Sequence, residues 1–309
     1  MPAPPLLIGT RGSPLALWQA EHVRGLLLAA HRLAAGDVAP SVITTSGDRL
    51  RDKPLREFGG KGLFTKEIDE ALLAGKVDLA VHSMKDLPTE LPEGIVVGAV
   101  LKRGDVRDAF ISKKGESLAA LPEGAVVGSS SLRRQSQIRR LRPDLDVIDF
   151  RGNVETRLGK LERGLADATL LALAGLERLG LTSHVTAVMP TSEMLPAVGQ
   201  GAIGVVARAS DAKTLALLSA LNDEKTAQAI ACERNFLAEL DGSCKTPIAG
   251  LADIEGEALR FRGLILKPDG SEWHEVEMEG AAAEAASIGT AAGRDLIGRA
   301  GRGFLASLG

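Results

Sequence analysis

Apolar positions along the first third of the chain alternate between short runs and a helical rhythm. "LLIGTR" is a compact apolar run and predicts a strand. In "GSPLALWQAEHVRGLLLAAH", Ala16, Ala20, Val23, Leu27 and Ala30 recur at helical spacing, with Ser13 placed to cap the helix and Pro14 at its first position. "SVITTS" predicts a strand and "LFTKEIDEALLAG" a helix, with Phe64, Ile68, Ala71 and Leu72 on one face and Gly75 ending it. "VDLAVHS" and "IVVGAVL" are strands again. Strands separated by helices mean βαβ units and a largely parallel sheet.

The pattern restarts near residue 105. "DAFIS" and "AVVGSSS" predict strands, the second leading into the helix "SLRRQSQIRRL". "DVIDF" precedes "RGNVETRLGKLERG", where Val154, Leu158, Leu161 and Leu165 mark a helix that Asn153 caps. "ATLLALA", the short helix "AGLERLG" and a strand in "PAVGQGAIGVV" complete this part. Two α/β units joined by connections near 102–106 and 196–201 predict two lobes with a cleft, and strand-end loops as the place for ligands. The last third differs. "TAQAIACERNFLAEL" is a helix with Ala227, Ile230, Ala231, Leu237 and Ala238 on one face. "TPIAGLAD", "ALRFRGLILK" and "EWHEVEME" follow one another without helices, as in an antiparallel sheet, before an Ala-rich closing helix.

Composition narrows the function classes. The chain has 309 residues, 45% of them hydrophobic and 25% charged, as expected of a soluble protein of two or three domains. No window supplies the roughly 18 apolar residues of a membrane span. The N-terminal residues do not read as an export signal, and two cysteines point to a reducing cytoplasm rather than a disulfide scaffold. Five scattered histidines do not form a zinc cluster. The net charge of −3 argues against general nucleic-acid binding, as does the scarcity of aromatic residues. Yet nine Lys/Arg against five acids lie between Ser131 and Arg163, which suggests a small anionic ligand or else a solvated basic face.

Polar residues gather at predicted strand ends. Arg11-Gly12-Ser13 follows the first strand, and His82-Ser83-Met84-Lys85-Asp86 follows the third. Ser129-Ser130-Ser131 runs into Arg133 and Arg134, and Arg151-Gly152-Asn153 is followed one turn later by Arg157. Helix N-termini and arginines both attract anions. Arginines in a first helical turn oppose the helix dipole, so Arg133 and Arg134 make more sense as ligand contacts than as helix stabilisers. Asp86 reads as a turn residue or a catalytic carboxylate. A Ser83–Lys85 pair would suit an amidase, but the glycine-rich companions of such enzymes are missing. "FGGKGLF" lacks the spacing of a nucleotide loop and predicts a loop carrying Lys61 over the cleft. Cys232 reads as a packed helical residue. Cys244, in the polar turn "DGSCKTP", is open to a packing or a nucleophilic reading.

The motifs "TRGSPLALWQA", "GGKGLFTKEID", "DLAVHSMKDLP", "VGSSSLRRQSQ", "RGNVETRL", "LPAVGQGAIG" and the Cys244 loop, in this order, closely resemble the hydroxymethylbilane synthase (porphobilinogen deaminase) family. The resemblance implies two periplasmic-binding-protein-like α/β domains with a cleft between them and a C-terminal α+β domain with a small antiparallel sheet. These would be 1–101 plus 202–221, 107–195, and 224–309, with hinges at 102–106 and 196–201. It implies a transferase that condenses four porphobilinogen molecules head to tail into hydroxymethylbilane, releasing ammonia, in porphyrin and haem biosynthesis. The implied cofactor is dipyrromethane, held by a thioether to Cys244, and the implied catalytic residue is Asp86. Lys85, Ser129, Arg133, Arg134, Ser13 and Phe64 match cofactor contacts, and Arg11, Arg151, Arg157, Lys61 and Gln200 match substrate contacts. No metal, membrane or nucleic acid is implied, and a cytoplasmic monomer is. Ser243 stands where many members have glycine, which bears on the loop's conformation rather than on the thiol. The alternatives are a two-lobed solute-binding protein, which the cysteine-bearing third part disfavours, and a nucleic-acid binder resting on the basic segment alone.

Overall fold

A computed structural model describes residues 5–49, 65–240 and 246–306. They divide into two compact units. The first holds the described residues up to Gly104 together with Ala202–Ala227, and the second holds Asp105–Gly201 and the described residues from Gln228 on.

The first unit begins with β1 (Leu6–Thr10), α1 (Pro14–His31), β2 (Val38–Val42), a single turn α2 (Ser46–Arg49) and α3 (Lys66–Leu73). It continues through β3 (Leu79–Ser83), a 3-10 turn (Met84–Asp86) and β4 (Ile95–Val100). The sheet order is β2-β1-β3-β10-β4, where β10 (Ile203–Arg208) returns from much later in the chain. β1, β2 and β3 run parallel, and β10 is antiparallel to both its neighbours. Helix α1 and the late helix α7 (Ala212–Ser219) share a core with this sheet, in which Ala20, Val23, Leu27 and Leu218 meet Ile8, Leu79, Val81 and Val205.

The second unit holds β5 (Asp108–Ser112), β6 (Val126–Gly128), α4 (Leu132–Leu141), β7 (Asp146–Ile148), α5 (Val154–Glu162), β8 (Ala168–Ala172), α6 (Leu173–Arg178) and β9 (Ala187–Val188). Its sheet order is β7-β6-β8-β5-β9, with β6, β7 and β8 parallel and β5 antiparallel to both neighbours. With β5 in the place of β10, this order repeats that of the first sheet. One core lies under α4 around Phe110, Val127 and Ile138, and another under α5 and α6 around Phe150, Leu158 and Leu176.

The remainder of this unit is α8 (Glu224–Glu239, begun in the first unit), the antiparallel sheet β11 (Ile248–Glu255), β12 (Ala258–Leu266) and β13 (Trp273–Ala281), and α9 (Ala285–Ala306), kinked at Gly301. Phe236 of α8 meets Phe261 of β12 with ring centroids 4.8 Å apart, and Leu296 and Phe304 of α9 join the same core. The β12–β13 turn docks on α4. Arg139 donates to the Pro268 carbonyl (2.8 Å), Arg140 pairs with Glu275 (2.7 Å), and its guanidinium lies 4.0 Å over the Trp273 ring. Gly270, at φ +76°, touches the α4 backbone so closely that a Cβ would sit 2.6 Å from the Arg140 nitrogen.

The α/β pattern with a small antiparallel sheet is as expected from the sequence, with local corrections. The second strand is Val38–Val42 rather than "SVITTS", because an edge strand tolerates Pro40. α5 stops at Glu162, and Gly164 (φ +75°) turns the chain away, so Leu165 is 54% exposed. Ala30 is exposed, and the buried face of α8 is Ala229, Ile230, Cys232, Glu233 and Phe236 rather than one centred on Ala231 and Leu237. β9 and α7 were not evident from periodicity. Among the described residues no helix is long and apolar enough to cross a membrane.

Candidate functional site

In the first unit, two neighbouring parallel strands deliver polar residues. β1 leads through Arg11 to Ser13, whose Oγ accepts from Ala16 N (3.3 Å) and caps α1. β3 leads through His82 and Ser83 to the turn bearing Lys85 and Asp86. Gln19 of α1, itself buried, donates to Ser83 Oγ (2.9 Å) and ties the two strand ends together. Met84 and Leu87 are buried on either side of the half-buried Lys85 and the exposed Asp86, so the polar pair stands on an apolar footing. Gly204 of β10 makes room for that footing, since a Cβ there would lie 2.2 Å from Met84 Sδ.

His82 is buried, its Nε2 has no hydrogen-bond partner among the described residues, and burial together with the nearby Arg11 charge lowers its pKa to about 4. It is therefore a neutral imidazole at pH 7. Its neighbour in chemistry, Asp86, remains in water and able to meet an incoming group.

In the second unit, β6 ends in three serines with separate tasks. Ser131 Oγ accepts from Arg134 N (3.5 Å) at the start of α4, and Ser130 Oγ accepts from Phe150 N (2.9 Å). Ser129 is buried, and its carbonyl accepts from Gln135 Nε2 (2.6 Å). The Phe150 ring lies directly on Gly128, where a Cβ would come within 2.4 Å of it. Beyond β7, Asn153 Oδ1 accepts from Thr156 N (2.8 Å), capping the helix that carries Arg157. The Arg151 carbonyl accepts from Lys160 Nζ (2.9 Å), while Arg151 Nη1 is buried with no hydrogen-bond partner among the described residues.

Arg133 and Arg134 are only 4% and 5% exposed and converge on Asp108, the first residue of β5. Arg133 Nη2 donates to Asp108 Oδ2 (2.9 Å), and Arg134 Nη2 to Oδ1 (2.7 Å). Gln200 Nε2 donates to the same Oδ1 (2.8 Å) and to the Val106 carbonyl (2.8 Å). Burial alone would raise the Asp108 pKa, but the Arg133 and Arg134 charges outweigh it and hold the carboxyl well below its ordinary range. Cations in the first turn of α4 thus have a third explanation that the sequence did not offer, a buried counter-ion.

Three of the residues singled out from sequence are therefore brought together, Arg133, Arg134 and Gln200. Arg11 and Ser13, with Lys85 and Asp86, occupy adjacent strand ends of the first sheet. Ser129 lies at the end of β6 in the second, and Arg151 and Arg157 follow β7, Arg157 on α5. Lys61, Phe64 and Cys244 lie outside the described residues. Cys232 is fully buried beside Phe236 in the core shared by α8, the antiparallel sheet and α9, and burial first, then the adjacent Glu233, pushes its thiol pKa up to about 12, which makes it inert. No group of three or more His, Cys, Asp or Glu able to hold a metal ion occurs among the described residues. Asp108 is the residue that sequence reasoning passed over. Its one signal was an aspartate opening an otherwise apolar strand.

Two family models match the chain. "Porphobilinogen deaminase, dipyromethane cofactor binding domain" covers residues 6–216, and "Porphobilinogen deaminase, C-terminal domain" covers residues 227–298. The chain is 56% identical over 306 residues to a porphobilinogen deaminase of Paracoccus denitrificans, covering 98% of both chains. It is also 56% identical over 297 residues to that of Nitrobacter hamburgensis, covering 96% of this chain and 94% of the other. Among solved structures, a periplasmic substrate-binding protein of an ABC transporter from Coxiella burnetii is similar at 16% identity and a TM-score of 0.44, over 74% of this chain and 96% of that one.

Proposed function

The chain belongs to the porphobilinogen deaminase family, and from that premise we infer that it condenses four porphobilinogen molecules head to tail into hydroxymethylbilane, releasing ammonia at each addition. The observation that carries this is the 56% identity over nearly the whole chain, with the two family models matching residues 6–216 and 227–298. The reaction places it in tetrapyrrole biosynthesis as a transferase. The reading extends to three domains hinged at 102–106 and 196–201, and to a cytoplasmic monomer that takes no nucleic acid. The mild net charge of −3 and the lack of a membrane-spanning helix among the described residues accord with it.

The cofactor is dipyrromethane, which when bound supplies the primer on which chain growth begins. The donors present suit it. A pyrrole chain carries acetate and propionate groups, and the protein offers the buried Nη1 of Arg151, unpartnered among the described residues, and an excess of cation over anion at Arg133, Arg134 and Asp108. Cys244 would hold the cofactor through its sulfur, and Lys85, Ser129, Ser13 and Phe64 with the two arginines would orient it. Arg11, Arg151, Arg157, Lys61 and Gln200 would bind the carboxylates of substrate and product.

Asp86 is the acid–base and electrostatic group of this reading. Loss of ammonia from the aminomethyl group of porphobilinogen leaves an electrophile with positive charge on its ring nitrogen. A carboxylate on a rigid turn stabilises that charge and takes part in proton movement. Its exposure and the apolar anchors Met84 and Leu87 support the role, because the group reaches outward while its backbone is held. His82, neutral and buried, does not compete as a charge.

The test is the mass of the denatured intact protein. The purified chain should exceed its sequence mass by two pyrrole units, and Cys244→Ala should remove the increment. A preparation active on porphobilinogen in which Cys244 is a free thiol would overturn the attachment. A purified wild-type protein that does not consume porphobilinogen would overturn the function itself.

A further inference from the structure

Asp108 has no exposed surface, and its backbone is fixed on two sides. It pairs with Ala172 of β8, and its carbonyl accepts from Met189 N (2.9 Å). A single buried carboxylate is balanced by one guanidinium. Here two are buried against it, so the cluster carries one positive charge in excess. Burying a second cation costs desolvation and repulsion that a purely structural ion pair would avoid.

The two arginines spend their donors differently. Arg133 gives Nη2 to Asp108 and Nη1 to the Leu195 carbonyl (2.8 Å), so both of its terminal nitrogens are used. That carbonyl is held in turn by Gln137, which also accepts from Leu195 N (2.8 Å). Arg134 gives only Nη2, and its Nη1 makes no hydrogen bond among the described residues. Gln200 braces the shared oxygen from the other side. Both arginines leave a buried Nε without a partner among the described residues, but only Arg134, inside the frame of Arg133, Gln200 and Gln137, also keeps a terminal nitrogen to spare.

We propose that Asp108 is a positioning residue that fixes Arg134, so that the unspent Nη1 and the excess positive charge meet a carboxylate of the pyrrole chain. On this assignment Arg133 and Gln200 serve the frame in place of the direct cofactor and substrate contacts given them above, and Arg134 makes the contact. The inference rests on the porphobilinogen reading above and deepens it by separating the contacting arginine from the one that holds it in place.

Asp108→Asn tests it in the full-length holoenzyme. The amide keeps the shape and one acceptor, but turns its NH2 toward an arginine that is also a donor. Loss of one charge-assisted contact should raise the KM for porphobilinogen about tenfold to a hundredfold, with kcat per cofactor-loaded molecule changing far less. Asp108→Glu, which restores the charge at a displaced position, should recover part of the KM. Thermal stability lowered with KM unchanged would make Asp108 structural only and overturn the proposal. Should Asp108→Asn fail to fold, Arg134→Lys carries the test, because Asp108 then keeps Arg133 and Gln200. A raised KM is expected there, and an unchanged one overturns the assignment. Wild-type protein runs in the same assay. If it turns over porphobilinogen while both variants keep its KM, this inference fails alone. If it does not turn over, the functional reading fails first.

Discussion

The two five-stranded sheets have the same strand order and the same single antiparallel strand, yet they carry their polar groups at different strand ends. Their first strands match closely. β1 runs into Ser13, which caps α1, and β6 runs into Ser131, which caps α4. Their third strands do not. β3 leads to Lys85 and Asp86, whereas β8 leads to Leu173, Ala174, Gly175 and Leu176, all buried. The second strand of the second sheet leads through Arg151 to α5, which carries Arg157. A repeated fold therefore supplies equivalent platforms, and the residues at each strand end decide which one reacts and which one binds. In the reading above, the first sheet holds the carboxylate that acts on the pyrrole nitrogen, and the second holds most of the arginines that receive its acids.

That division can be broken from the first sheet most severely. Asp86→Ala should lower turnover at least about a hundredfold, as expected for loss of an acid–base group, while leaving the melting temperature nearly unchanged because the side chain is exposed. Near-normal turnover would remove Asp86 from the chemistry. A second measurement concerns His82, which has no ionisable counterpart at Leu171 of β8. Its pKa is 6.5 when unfolded and about 4 when folded, so the unfolded chain binds the extra proton between those values. Stability should fall as pH drops from 6.5 to 4, by about 3 kcal/mol for this group, and His82→Gln should flatten that part of the profile. An unchanged slope in denaturant titrations across that range would show that other groups set it.

Smaller effects sharpen the comparison. Gly204→Ala should force Met84 off β10 and cost about 1–3 kcal/mol, with a loss of turnover as the Lys85–Asp86 turn shifts. Stability lowered with turnover intact would mean that the turn absorbs the methyl group. Arg151→Ala, in the second sheet, should raise the KM for porphobilinogen about tenfold with little change in kcat, consistent with loss of one carboxylate contact. An effect on kcat alone would place Arg151 with the reacting group instead.

Local features were legible in the chain. The caps Ser13 and Asn153 bond to nitrogens three residues ahead, and the strand-end clusters are contiguous in sequence. What escaped was non-local. Asp108 acquires meaning only through Arg133, 25 residues away, and Gln200, 92 residues away. Alternation of strands and helices predicted parallel sheets but carried no information about which strand would be inserted antiparallel. The buried face of α8 was misplaced because alanines fit either side of a helix, and only Phe236 and Cys232, packed on the third sheet, fix its rotation.

The place of β10 between β3 and β4 bears on the order of assembly during synthesis. Among the described residues β4 pairs with nothing in its sheet except β10, so after Val100 is made it must wait 103 residues, until Ile203, for that neighbour. At about 5–20 residues per second that interval is roughly 5–20 s. Throughout it the nascent first sheet has an open edge at β3, exposed to pairing with other chains. The second sheet lies wholly within residues 108–188 and can close as soon as β9 emerges. The later-made half of the molecule is thus able to complete its sheet first, and the reactive half stays unfinished until the chain doubles back.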